Sequence, residues 1–146
     1  MKNLLLTLIL VPFLGLSQVG KSVKSEQWDK IGKLTNPYHF VEFESQGNDD
    51  SKLYRLSFQN MEYKQITDIS SFTFEGTQKD IDYIKSELIK GLKYKKGESS
   101  AFEIGKGMIA ISKYGMGGVV LRYKEDGEPS RWTWLSKGQI NKVFGE

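Results

Sequence analysis

Arg131-Trp132-Thr133-Trp134 is the stretch of this chain whose residue types and spacing say most about a ligand. Successive side chains of a β-strand point to opposite faces, so Trp132 and Trp134 share one face while Thr133 and Leu135 take the other. Two indoles about 6.5 to 7 Å apart can stack on sugar rings or anchor a protein partner. Arg131 beside them adds a planar fork of donors. The competing expectation is packing: a small domain needs most of its large aromatics inside, and the pair would then fill the core beneath a helix. Arg131, Trp132 and Trp134 are therefore the candidate ligand-binding residues, and the face they occupy discriminates between the two readings.

Catalytic constellations fail mostly on inventory. The chain has one histidine, His39, and no cysteine. A Ser-His-Asp arrangement would have to use His39, and no Gly-x-Ser-x-Gly elbow is present to expose a serine. A zinc site with two histidine ligands is excluded by count, as are thiolate metal sites and cysteine nucleophiles. His39 shares its parity with Val41 and Phe43, which makes it a structural or strand-edge histidine. No metal site, cofactor or catalytic residue is expected.

Carboxylates are the remaining acids and bases. Glu42 and Glu44 fall on one strand face about 6.5 to 7 Å apart, within reach of glycosidase spacing. Alternating glutamates are equally the signature of a solvated sheet face, and this is the favoured reading. Glu103 is a third candidate for a hydrolytic site. Asn48, Asp49, Asp50 and Ser51 cluster oxygens in a tight loop but lack the spacing of a calcium loop, so a hairpin turn explains them. Gly105-Lys106-Gly107 and Tyr114-Gly115-Met116-Gly117-Gly118 lack the Lys-Ser/Thr ending of a phosphate loop and read as β-turns.

The ends of the chain differ sharply. Of the first 17 residues 11 are hydrophobic, against 45 of the remaining 129. Met1-Lys2-Asn3 is a short positive start, Leu4 to Leu14 an apolar run, and Gly15-Leu16-Ser17 places small residues where a signal peptidase needs them. Residues 1–17 are thus expected to be a cleavable secretory signal peptide, its apolar run falling short of a membrane span. The mature chain, 18–146, carries 20 basic and 18 acidic residues, a net charge of +2. Both signs are dispersed, which argues against nucleic acid. The local excess at Lys90, Lys93, Lys95 and Lys96 sits in and after the last turn of a helix, where the macrodipole favours it.

The elements that must position these residues are mainly strands. Val41 and Phe43 alternate with Glu42 and Glu44. Tyr54, Leu56 and Phe58 alternate with Leu53, Arg55 and Ser57, and the turn chemistry between the two runs predicts a hairpin. Residues 63 to 75 follow, with a bulge expected near Asp68 to Ser70. Ser100 to Ile104, Met108 to Lys113, Gly118 to Lys124 and Arg131 to Leu135 read as an antiparallel meander. Thr77 and Asp80 cap a helix whose Ile81, Ile84, Leu88 and Leu92 form one apolar face, and Ser136 and Gln139 make a capping box before Ile140, Val143 and Phe144. Ser22 to Leu34 fits neither period cleanly and reads as irregular or short structure.

The expected fold is α+β: a single antiparallel β-meander of about six to seven strands, one amphipathic helix packed on one face and a short C-terminal helix. The function expected is that of a small exported, secreted or periplasmic, non-catalytic binding or accessory module. A carboxylate-dependent hydrolase and an inhibitor or immunity-like partner of another exported protein are the alternatives. A protein or a carbohydrate is the partner class; no nucleic acid and no stable membrane anchor after cleavage are expected.

Overall fold

The computed structural model describes residues 27–37, 39–48, 51–63, 67–115 and 117–145. The expected leader at 1–17 and the turn residues Asp49 and Asp50 lie outside them. Four antiparallel strands, β1 (Asp29–Asn36), β2 (His39–Asn48), β3 (Ser51–Gln59) and β4 (Ile69–Gly76), form a first sheet in chain order. Helix α1 (Gln78–Gly91) leads to a second antiparallel sheet of β5 (Ser99–Ile104), β6 (Gly107–Tyr114), β7 (Gly118–Glu125) and β8 (Arg131–Ser136), and α2 (Lys137–Val143) closes the series. The α+β class and the antiparallel pairing hold. The expected single meander is instead two meanders of four strands, separated by α1.

Each sheet turns one face inward onto a common core. Val41, Phe43, Tyr54, Leu56, Phe58, Phe72 and Phe74 come from the first sheet, and Ile109, Ile111, Val119, Leu121, Tyr123 and Leu135 from the second. Phe72 and Tyr123 stack across the boundary with ring centroids 4.0 Å apart and planes 11° apart. The helices are not laid over one face of a sheet, as expected. Each touches strands of both sheets, α1 meeting β4 as well as β5, β6 and β7, and α2 meeting β1, β2 and β8. The apolar stripe of α1, Ile81, Ile84 and Leu88, is consequently buried between the two layers.

Both helices start where the caps predict. The Thr77 amide and hydroxyl donate to the Asp80 carboxylate at 2.7 and 2.8 Å. This holds the Asp80 carboxyl below its ordinary range, because the hydrogen bonds favour the ionised form. The Ser136 amide donates to Gln139 Oε1 at 2.8 Å.

The irregular reading of Ser22 to Leu34 is corrected from Asp29 onward, where β1 pairs with β2. A register shift between Lys30 and Gly32 breaks its alternation, so the bulge falls here rather than near Asp68. Gly32 has a steric reason: a Cβ there would lie 2.3 Å from the carbonyl oxygens of Lys142 and Val143, so the last turn of α2 rests directly on the β1 backbone. Gly105, with φ of +56°, opens the two-residue β5–β6 turn in the conformation that a Gly-first hairpin turn requires.

Candidate functional site

Trp132 and Trp134 lie on the outer face of the second sheet, away from the core. Their strand neighbours Thr133 and Leu135 are fully buried, whereas both indoles are half-buried. The expectation that the pair fills the core is therefore overturned. The reason is strand parity: Leu135 and Thr133 meet the first sheet and α2, and the tryptophans must take the other side.

Arg131 does not join them. It is the cross-strand partner of Tyr123, on the inner parity of β8, and its guanidinium sits 5.8 Å from the Tyr123 ring and 4.0 Å from Glu125. Tyr123 donates its hydroxyl to Glu125 Oε1 at 2.9 Å, and burial with this bond pushes the phenol up to about 12. Arg131 thus belongs to the rim of the core. The arginine beside the indoles is Arg122, the cross-strand partner of Trp132 on β7. Parity alone separates Arg131 from Trp132; finding Arg122 requires the β7–β8 register.

Both indoles are braced. Trp132 Nε1 donates to Glu62 at 2.9 Å. Its backbone, on the free edge of β8, is tied to the segment after β3: Met61 N donates to Trp132 O at 2.8 Å, and Trp132 N donates to Asn60 Oδ1 at 3.3 Å. Buried Asn60 also receives the Glu62 amide and gives its side-chain amide to Asp68 at 2.9 Å, pinning the loop that carries Glu62. Trp134 stacks with His39 (centroids 4.9 Å, planes 19° apart) and with Tyr114 (5.4 Å, 16°). Tyr114, 41% exposed, also leans on Trp132 at 6.4 Å. Held rings lose little freedom on contact with a ligand.

His39 braces this face. It is 3% exposed, with Nε2 3.0 Å from Thr133 Oγ1 and Nδ1 without a partner. Burial lowers its pKa, so the neutral ring is favoured.

Beside the aromatic wall the floor drops. Ala101 and Ala110 face each other on β5 and β6, Ser99 and Ser112 follow, and all are small. A cleft of about 760 Å³ opens over Ala110 and Ser112, bounded by Arg122, Lys113, Gly115 and the loop 96–98. Arg122 also borders a cleft of about 540 Å³ toward Lys124 and Pro129, and one of about 640 Å³ toward Asn60 and Ser71.

Two of the three glutamates considered for hydrolysis, Glu42 and Glu44, are engaged in ion pairs. Glu42 pairs with Lys33 at 3.1 Å and Lys30 at 3.5 Å, and Glu44 accepts from Arg55 at 2.7 and 2.9 Å. Glu103 stands on the other sheet, in a small cleft with Asp126. Among the described residues no group of three histidine, aspartate or glutamate side chains is placed to hold a metal ion, and no helix is long and apolar enough to cross a membrane. Comparison with family models, curated proteins and solved structures finds no match to this chain.

Proposed function

We propose that this chain is a small exported, non-catalytic binding module whose ligand face is the outer face of the second sheet. The observation that carries the reading is the bracing of Trp132 and Trp134: two large apolar rings turned from the core and fixed by Glu62 and His39. A soluble domain gains nothing in core packing from tryptophans so placed, whereas rigid amphipathic rings beside a cleft suit contact with a flat partner. Trp132, Trp134 and Tyr114 form the platform, and Arg122 takes the place the sequence suggested for Arg131. The tripartite pattern at 1–17 supports export, and Gln18 is then the first residue of the mature protein.

Two measurements test this. Mass analysis of the mature protein recovered from the native cell should give a chain beginning at Gln18; a full-length chain retained in the cytoplasm refutes export. Indole NMR signals of the mature protein, followed against a panel of neutral and acidic oligosaccharides and peptides, should shift for Trp132 and Trp134 and not for Trp28. A panel that moves neither outer indole refutes the binding face.

A further inference from the structure

Resting on the reading of this face as a binding surface, we infer that its ligand is an acidic saccharide, a chain of sugar rings bearing carboxylates, held with its anionic groups over the Arg122 cleft.

The charge balance of that cleft points to the class. Lys96, Lys113 and Arg122 line it against a single carboxylate, Glu98. Glu98 already accepts the Lys95 amide at 2.7 Å, and Lys113 Nζ donates to the Leu92 carbonyl, a neutral acceptor that leaves its charge uncompensated. Among the described residues none of the three cations has a carboxylate at ion-pair distance. This is unusual in a chain whose other sheet pairs Lys30, Lys33 and Arg55 with glutamates. A planar guanidinium standing free receives a carboxylate through two parallel hydrogen bonds.

The shape of the face points to sugars. Arg122 sits between a floor residue and an indole, being the cross-strand partner of Ala110 on one side and Trp132 on the other. A ring stacked on Trp132 therefore places its substituents within reach of the guanidinium, and the low floor leaves room for the chain to continue toward Lys96. Dispersed positive charge without a stacking wall would suit any anion; the wall and the cations together select a ring that carries charge.

Isothermal titration of the mature protein with an oligogalacturonate, and with the same oligomer methyl-esterified, separates charge from ring. The acid form should bind at least tenfold more tightly than the ester. Arg122→Gln, and independently Lys96→Gln in the loop beyond α1, should bring the acid toward the ester, with circular dichroism unchanged. Trp132→Ala should weaken both forms. Equal binding of acid and ester overturns the acidic class and leaves the binding face standing. Failure of the acid to bind at low salt overturns the saccharide, and the indole signals then report whether another ligand uses the face. Tighter binding of a single-stranded oligonucleotide of equal charge also overturns it.

Discussion

His39 Nε2 and Thr133 Oγ1 lie 3.0 Å apart and join β2 of one sheet to β8 of the other. The bond is buried and crosses between layers that share no ladder, so it fixes where the second sheet's edge sits. Replacing Thr133 with Val keeps the shape and strands the imidazole nitrogen without a partner. Urea unfolding should show a loss of about 1–3 kcal/mol. His39→Phe with Thr133→Val should cost less than the sum of the two single changes. Strict additivity would mean that the bond contributes nothing.

The same histidine sets an acid dependence. Its folded pKa is lowered by burial from 6.5, so the unfolded chain binds its proton first as pH falls. Stability is full above about pH 6.5 and declines below it. Asp80 acts in a lower window, since its folded pKa lies below 3.8 and its contribution is lost only as pH falls past that value. Urea midpoints from pH 8 to 5 should drop for the parent chain and stay level for His39→Gln.

At the alkaline end Tyr123 governs. Its phenol is pushed from 10.0 up to about 12, so the folded state keeps a proton that the unfolded state gives up. Stability is complete below about pH 10 and falls as pH rises toward 12. Tyr54, raised chiefly by burial, adds in the same direction. Tyr123→Phe should flatten most of the decline, and an unchanged slope would assign it elsewhere.

Two glycines should respond oppositely to alanine. At Gly32 the new methyl meets two carbonyl oxygens of the α2 backbone at 2.3 Å, and thermal unfolding should show a loss of about 2 kcal/mol or more. At Gly138, inside α2, a Cβ meets nothing within 4 Å, and alanine should stabilise by about 0.5–1 kcal/mol. Equal effects at the two positions would contradict the seating of α2 on β1.

Much of the local structure was legible because its causes are local. Thr77 with Asp80, and Ser136 with Gln139, announce helix starts through hydrogen bonds three residues apart. The β2–β3 hairpin and the β5–β8 meander follow from alternation and turn residues. β1 escaped because Gly32 answers to α2, more than a hundred residues away, and because the bulge beside it erases the period. The division into two sheets escaped for a related reason: alternation says which side chains face inward, not which core they share. At the site, parity alone sets the two tryptophans together, and the same parity turns Arg131 away. Arg122, Glu62 and Asn60 reach the face through register and loop closure, which no spacing within β8 encodes.

The seating of α2 on Gly32 ties the first described strand to the last described helix. β1 is the first described strand to be synthesised, yet the surface that covers it is supplied by Lys142 and Val143. A nascent chain, whether leaving a ribosome or entering a secretion channel, therefore carries that face of β1 uncovered until residues 142 and 143 have emerged. The interval is one in which a holding chaperone would have something to grip, and a chain stopped short of α2 would keep that face open for good.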